Sequence, residues 1–392
     1  MDTIRSEKRF PLWNPYVATG ISVLGDPLSA VTYPPYLLPM LAFGVPDGWW
    51  VVVWLHAFGA GVAMWMLLKK ILDSRFRGND NKDSGNDNKD SGNDKNLLAL
   101  WGGLLYMGAG AFAARVAAGH IEKVLSYPWY PVFLLLLLRK SALAGAIAGV
   151  VFLTGDVYGL LFLMIFYGVV WVVGEGRAVG KAALAFLAVG AVKLVPFVRD
   201  VLPVMERFGV FDPLRGSIDV WWSWLPFVMP LGVSFYDRPL LQRLFSFWYN
   251  WYEYYAFIGL PMVFLLWLPK IIKRREVQIL LLLAAVGVAF IARGSAYSPW
   301  YGLAPILTWF RTPQRMYGAM TSVVVVLIVL CAQRLKKRTV LWAMLTVTFL
   351  VSGWQMTKAL KPPGRVEDTQ LYRIREKVPI VDYYYGWMPK AP

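Results

Sequence analysis

The chain has 392 residues, of which 57% are hydrophobic and only 16% are charged. Its mean hydropathy is +0.48, and this apolar content exceeds what a soluble core buries, so the composition excludes an ordinary soluble domain and predicts a polytopic membrane protein. The formal net charge of +16 does not indicate nucleic acid as a partner, because basic residues in a membrane protein first sort by side of the membrane.

The first long stretch, Phe10 to Pro39, is rich in proline, glycine and aromatic residues. Such a composition disfavours a long helix or a central strand and predicts an irregular, ordered loop. Asp26 lies between Gly25 and Pro27, which favours a tight turn that presents a carboxylate. Trp13 and Asn14 add hydrogen-bonding groups. The loop either packs across the mouth of a helix bundle or binds substrate.

Eight apolar runs follow, each close to the roughly 20 residues that a membrane-spanning helix needs. They are Trp49 to Ile71, Leu97 to Ala118, Tyr158 to Val173, Val179 to Val198, Tyr255 to Ile272, Val277 to Ala292, Met316 to Gln333 and Val340 to Met356. Two shorter runs, Trp129 to Leu138 and Ala142 to Thr154, are either tilted spans or a re-entrant hairpin. The predicted fold is therefore all-α, a polytopic transmembrane bundle of about 8–10 membrane helices with exoplasmic loops.

The short loops set the orientation. If the first loop faces out, fourteen Lys and Arg residues fall on the inner side: Lys69, Lys70, Arg139, Lys140, Arg177, Lys181, Lys270, Lys273, Arg274, Arg275, Arg334, Lys336, Lys337 and Arg338. The positive-inside rule favours this arrangement. It places the remaining carboxylates, apart from those in a polar repeat and two in inner loops, on the outer side.

The polar repeat runs from Asp73 to Asn96. The heptapeptide GNDNKDS begins at Gly78 and again at Gly85, and it restarts at Gly92. Without apolar positions the repeat has nothing to offset the entropy of ordering, so it predicts a disordered cytoplasmic loop. It resembles a translated bacterial dispersed repeat, inserted without a catalytic role.

Two outer carboxylates are candidates for acid–base chemistry: Asp26 and Glu122, which follows the Gly119-His120 bend. A third outer carboxylate, Asp156, is expected to orient an acceptor or hold a metal. His120 lies beside Glu122 at the same outer level. His56, inside the first span, is instead interpreted as a hydrogen-bonded packing residue.

Two other outer segments offer binding groups. The segment from Val220 to Tyr255 is dense in Trp and Tyr, which is typical of an interfacial belt but also suits sugar stacking or an isoprenoid groove. Arg311 and Arg315 precede a helix, where they either bind a phosphate or extend to lipid headgroups. The chain contains no clustered Cys/His metal set, P-loop or dinucleotide-binding glycine motif.

Several of these motifs together resemble those of YfhO-type bacterial membrane proteins, a branch of the GT-C-fold glycosyltransferases. The motifs are PLWNPY at Pro11, DPLSAVTYPPYLLP at Asp26, RVAAGH at Arg115, YEYYAFIGL at Tyr252 and FRTPQRM at Phe310. They occur in the same order and on the same predicted outer face. The resemblance extends over nearly the whole chain outside the repeat.

The resemblance implies an enzyme of the bacterial cytoplasmic membrane whose active face is exoplasmic. Such an enzyme takes a sugar from a polyprenyl-phosphate donor and gives it to an exoplasmic glycan, lipid or protein acceptor. An outer carboxylate acts as the general base, which points to Asp26 and Glu122 as catalytic. Trp13, Asn14, His120, Asp156, Arg311 and Arg315 then bind substrate or carrier. The resemblance assigns no certain cofactor and leaves a divalent metal open.

The chain departs from the resembling proteins in two ways. Those proteins have Asn where Asp26 stands and Gln where Leu28 stands, and a helix followed by an acidic residue precedes their PLWNP motif. The expectation is that the coding sequence upstream of Met1 encodes about 20 further apolar residues. The expected division is a first exoplasmic loop (1–47), a membrane helix (48–72), the repeat (73–96), a membrane bundle (97–200), an aromatic-rich exoplasmic loop (201–254), a second bundle (255–357) and an exoplasmic tail (358–392).

Two other functions stay open from the sequence. A transporter or flippase of a lipid-linked substrate would favour paired internal repeats and ionisable residues near the middle of the membrane. No such repeat is evident, and Lys193 is the clearest charge inside a span. A non-catalytic or degraded membrane protein is the third interpretation.

Overall fold

The structure is a computed structural model, and it describes residues 10, 12–14, 21–44, 47–73, 90–170, 179–205, 218–219, 224–228, 256–293, 313–333 and 338–360. The predicted aromatic-rich loop and C-terminal tail lie mostly or wholly outside these residues.

The described part of the chain is built almost entirely of helices. In chain order they are α1 (Pro34–Phe43), α2 (Asp47–Asp73), α3 (Asp90–Met107), α4 (Gly110–Ala117), α5 (Ile121–Ser126), α6 (Trp129–Leu138), α7 (Leu143–Leu153), α8 (Val157–Val170), α9 (Val179–Pro196), α10 (Leu225–Val228), α11 (Arg275–Ile291), α12 (Tyr317–Ala332) and α13 (Arg338–Leu360). A π-helical turn, Phe197–Val201, and a short helix, Leu202–Met205, continue α9, and two 3₁₀ helices span Leu260–Lys270 and Pro313–Met316. The predicted all-helical class is thus confirmed for these residues.

Strands among the described residues are limited to two short pairs. β1 (Trp13–Asn14) pairs antiparallel with β2 (Ile21–Ser22), and β3 (Ile218–Asp219) pairs parallel with β4 (Ala292–Arg293).

Four helical stretches in the described residues are long and apolar enough to cross a membrane. They are Asp47–Asp73, Asp94–Ala117, Ile121–Leu138 and Val179–Val201. Three of them contain or nearly match spans predicted from the sequence. The fourth is longer than the predicted run at Trp129, because the preceding turn from Ile121 is also helical. Other apolar helices are shorter: Leu143–Leu153, Val157–Val170, Leu260–Lys270, Tyr317–Ala332 and Thr339–Trp354.

One predicted span takes a different form. Residues Leu260–Lys270 form a 3₁₀ helix that begins after Gly259, whose φ is 78°. Pro261 near its start and Pro269 near its end remove backbone N–H donors that a continuous α-helix would need. At about 2.0 Å per residue, eleven 3₁₀ residues extend roughly 22 Å, less than the hydrocarbon thickness.

The Pro-rich first loop is more regular than predicted. The sequence predicts irregular structure throughout Phe10 to Pro39, whereas α1 begins at Pro34. Pro34 and Pro35 occupy the first two helical positions, where a backbone N–H has no intrahelical partner and the fixed φ of proline suits the helix. The prediction of a loop was therefore wrong over these last residues.

The repeat is also helical at its C-terminal end. α3 starts at Asp90, inside the segment predicted to be disordered, while residues 74–89 lie outside the described residues. The apolar run from Leu97 supports a helix, and each residue added to an existing helix gains a hydrogen bond without the cost of nucleation. The disorder prediction was therefore wrong for the last residues of the repeat.

α12 forms the centre of the fold. All of its residues except Gly318 are buried, as expected for a helix that is apolar on every side. α9 differs, since it buries few residues and leaves Leu184 68% and Val195 61% exposed. A helix with such exposed apolar side chains suits contact with lipid.

Small residues let α7 and α9 approach closely. A Cβ atom added at Gly145 would collide with the carbonyl oxygen of Ala182, and one at Gly149 would lie 2.9 Å from Cβ of Val189. Glycines four positions apart occur on the same helix face and are typical of close helix packing in membranes. This contact fixes α9 beside the turn that follows α7.

A hydrogen-bonded group of side chains ties the start of α1 to α2 and α6. Nδ1 of His56 lies 2.7 Å from the carbonyl oxygen of Val52, so Nδ1 carries the proton and Nε2 accepts a hydrogen bond from the Tyr33 hydroxyl at 3.0 Å. Nε1 of Trp129 donates to the same hydroxyl at 2.9 Å. His56 is therefore buried with both ring nitrogens used in packing contacts.

Candidate functional site

A pocket of about 360 Å³ lies between the first loop and the bend before α5. Its lining combines carboxylate, hydroxyl and apolar side chains: Val23, Asp26, Leu28, Ser29, Ala30, Val31, Tyr36, Gly119, Ile121 and Glu122. The structure therefore brings Asp26 and Glu122, the two residues proposed as catalytic from the sequence, to one cavity.

Asp26 is presented by a turn of the first loop. The Leu28 N–H donates to Oδ1 of Asp26 at 2.9 Å, and the Ser29 N–H donates to the Asp26 carbonyl oxygen at 3.1 Å. The Asp26 N–H in turn donates to the carbonyl oxygen of Ser22 at 2.9 Å. These bonds fix the backbone that carries the carboxylate.

The turn that carries Asp26 packs closely against two other backbone segments. Gly155 has a φ of +88°, and a Cβ atom there would lie 2.5 Å from the carbonyl oxygen of Leu28. A Cβ atom at Gly25 would lie 2.8 Å from the carbonyl oxygen of Pro196. Only glycine allows two backbones to approach so closely. These two glycines therefore let the first loop pack between α9 and the turn before α8.

Glu122 enters the pocket from the first turn of α5. The chain reverses at Gly119, with a φ of 69°, and His120 precedes the helix. Nδ1 of His120 accepts a hydrogen bond from Nη1 of Arg115 at 3.4 Å, since a guanidinium only donates. His120 thus lies next to Glu122 in the chain, but its described contact is with Arg115.

Asp156 is the centre of a buried polar network that includes Lys123, the residue after Glu122. Its Oδ1 accepts from the Lys123 ammonium, with which it forms an ion pair, and from the Gly159 N–H at 2.7 Å. Its Oδ2 accepts from Oγ of Ser126 at 2.6 Å and from the Tyr130 hydroxyl. Asp156 itself is 0% exposed.

The network uses the full hydrogen-bonding capacity of the Asp156 carboxylate. A carboxylate has about four lone-pair positions, and the four donors occupy them. Burial by itself would raise the pKa of Asp156, but the Lys123 charge and the hydrogen bonds from Lys123, Ser126 and Tyr130 outweigh it and hold the pKa below its ordinary value. In this structure the carboxylate joins α5, α6 and α8, and its role in orienting an acceptor or holding a metal stays a prediction.

Arg315 and the network residue Lys123 both lie over the ring of Tyr158. Its guanidinium carbon is 5.3 Å from the centre of the Tyr158 ring, and Nζ of Lys123 is 4.8 Å from the same centre. Arg315 also attracts the Glu122 carboxylate electrostatically. Of the two arginines proposed to bind phosphate, Arg315 thus stacks on Tyr158 and attracts the pocket residue Glu122, and Arg311 lies outside the described residues.

Trp13 and Asn14 form strand β1, which pairs with the strand that precedes the pocket residue Val23. Their partner strand β2 leads directly to Val23, whose N–H donates to the Leu12 carbonyl oxygen at 3.0 Å. The Trp13 side chain is 57% exposed, while the side chain of Asn14 lies outside the described part of the structure. Their role in substrate binding stays a prediction.

The sequence did not predict three residues of the Asp156 network, Lys123, Ser126 and Tyr130. They stand three and four positions apart, so they fall on one face of the helical stretch from Ile121 to Leu138. That spacing was a readable signal for a polar face in an apolar helix. In the described residues, no group of three or more His, Cys, Asp or Glu side chains is arranged to hold a metal ion.

No protein-family model, curated protein or solved structure matches the chain. The resemblance to YfhO-type proteins consequently rests on the sequence motifs alone.

Proposed function

We propose that the chain is a glycosyltransferase of GT-C type in the bacterial cytoplasmic membrane. It transfers a sugar from a polyprenyl-phosphate donor to an exoplasmic acceptor, which is a glycan, a lipid or a protein. The observation that supports this function best is the pocket shared by Asp26 and Glu122. Two carboxylates from distant parts of the chain line this pocket, together with residues of the DPLSAVTYPPYLLP motif and Gly119 of the RVAAGH motif.

The pocket suits a sugar hydroxyl as the acceptor. Its volume of about 360 Å³ falls in the usual range for small-ligand sites, roughly 300–1,000 Å³. Leu28, Val31 and Ile121 contribute apolar surface to its lining, and Asp26, Glu122 and Ser29 contribute polar groups. A sugar ring has both kinds of surface.

The proposed reaction balances with these groups. Glu122 or Asp26 accepts the proton of the acceptor hydroxyl as its oxygen bonds to the anomeric carbon. The bond between that carbon and the phosphate oxygen breaks, and polyprenyl phosphate leaves with the electron pair. Arg315, which attracts the Glu122 carboxylate electrostatically, stabilises the charge that develops on the departing phosphate.

The test is transfer by the purified protein in lipid vesicles, supplied with polyprenyl-phosphate sugars and a panel of acceptors. Release of the sugar-free carrier distinguishes transfer from flipping, because a flippase moves the donor without breaking the anomeric bond. Unchanged donor with every acceptor would contradict the proposed function.

Arg315→Lys provides the site-directed form of this test. We expect transfer to fall by at least about tenfold, because lysine keeps the charge but loses the planar fork that binds two phosphate oxygens. Arg199→Lys is the control, since Arg199 is 75% exposed and pairs with the adjacent Asp200. Equal rates in both variants would remove Arg315 from the site.

A further inference from the structure

Lys193 is a buried cation that the proposed chemistry does not use. It lies in α9, on a helix that otherwise exposes many apolar residues, and it is 0% exposed. Its Nζ donates to the carbonyl oxygens of Pro27 at 2.9 Å, Ser29 at 2.7 Å and Phe152 at 2.9 Å. An ammonium has three protons, and each of them has one of these acceptors.

The acceptors belong to two different segments of the chain. Pro27 and Ser29 lie in the turn immediately after Asp26, whereas Phe152 is near the end of α7. A buried charge is costly unless hydrogen bonds compensate it, so the Lys193 ammonium favours the arrangement in which all three carbonyls converge. Asp26 and Asp156 also attract it electrostatically.

We propose that Lys193 is a positioning residue that holds the Asp26 turn against α7 and so sets the place of the Asp26 carboxylate in the pocket. The Lys193 ammonium binds the carbonyl groups on either side of Leu28. Gly155 contacts the Leu28 carbonyl itself. The importance of Lys193 for catalysis rests on the proposed function, but its hydrogen bonds to the turn do not.

The test measures amide hydrogen exchange in the wild-type chain and in Lys193→Met, reconstituted in lipid. Methionine keeps an apolar stem of similar length and removes the three donors. We expect the amides of Asp26, Leu28 and Ser29 to exchange at least about tenfold faster in the variant, because local opening of the turn becomes easier. The amides of α2 serve as the check that the fold is intact.

Two further variants make the outcome decisive. Lys181→Met removes an exposed lysine from the same helix and should leave exchange in the turn unchanged. Lys193→Arg keeps donors for the carbonyls, so it should exchange more slowly than Lys193→Met. Equal exchange in Lys193→Met and Lys181→Met would overturn the proposal, and so would unfolding of both Lys193 variants, since Lys193 would then support the whole fold.

The transfer assay separates this proposal from the proposed function. Faster exchange in a protein that transfers no sugar would leave Lys193 as a loop-holding residue and remove only the transferase. Where transfer is measurable, Lys193→Met should lower its rate and Lys193→Arg should restore part of it. Full transfer with unchanged exchange would leave the transferase and reject Lys193 as a positioning residue.

Discussion

Replacing Asp156 with alanine is expected to lower the free energy of unfolding by about 3–5 kcal/mol. The substitution leaves the Lys123 ammonium, which is 4% exposed, without its ion-pair partner. It also removes the acceptor for Ser126 and Tyr130. Uncompensated buried charges and donors are among the few causes of destabilisation this large.

A double variant tests whether the unpaired Lys123 charge causes the loss of stability in Asp156→Ala. Lys123→Met with Asp156→Leu removes both charges and keeps apolar volume, so it should be more stable than Asp156→Ala alone. Thermal unfolding in detergent, followed by tryptophan fluorescence, measures both proteins. A loss below about 1 kcal/mol in Asp156→Ala would be the value of a surface pair and would contradict the buried network.

The network also predicts a dependence on pH. Because the pKa of Asp156 is lower in the folded protein, its contribution is present above the pKa of the unfolded chain and is lost as the pH falls through the folded value. The wild-type chain should therefore lose its stability advantage over Asp156→Ala below about pH 4, where an ordinary Asp titrates.

Glu122→Gln is expected to reduce the rate of sugar transfer by about 10²- to 10⁴-fold, the usual contribution of a general base. The amide keeps the size of the side chain and cannot accept the proton of the acceptor hydroxyl. Asp26→Asn tests the other carboxylate of the pocket in the same way. Both variants should fold normally, since the two side chains line a pocket and are not fully buried.

The matched control is Glu276→Gln. Glu276, like Glu122, lies in the first turn of a helix, so the same substitution tests the loss of a charge near a helix N-terminus. Its transfer rate should equal that of the wild-type chain. Wild-type transfer by Glu122→Gln would show that Glu122 is not the base.

Much of the helical framework is predictable from the sequence, because membrane-spanning helices follow from length and apolar composition. The run Trp49 to Ile71 lies within α2, and Val179 to Val198 lies within the longer span that starts at Val179. The 3₁₀ helix from Leu260 was not predicted, because its hydropathy resembles that of an α-helix and only Pro261 and Pro269 signal the difference. α1 was not predicted, because proline usually breaks a helix, whereas Pro34 and Pro35 occupy the first two positions of α1, where proline is favoured.

The candidate site was predictable only in part. The predicted topology puts Asp26 and Glu122 on the same side of the membrane, and both line the pocket. The role of Lys193 was not predictable, because its partners are backbone carbonyl groups, which every residue carries and no sequence pattern marks. The contacts of Asp156 with Lys123, Ser126 and Tyr130 join residues that are distant in sequence, so the sequence does not predict them. The spacing of these three residues does predict a polar face on their helix.

Chemical blocking of the pocket tests the proposed site most directly. Ile121→Cys in a Cys331→Ser background places a single thiol in the pocket lining, since Cys331 is the chain's only cysteine. A bulky thiol reagent should then reduce transfer by at least about tenfold by excluding the acceptor, and bound substrate should slow the labelling. Leu38→Cys, at a position that is 63% exposed in α1, should label without loss of transfer. Full transfer by the labelled Ile121→Cys protein would show that the reaction does not take place in this pocket.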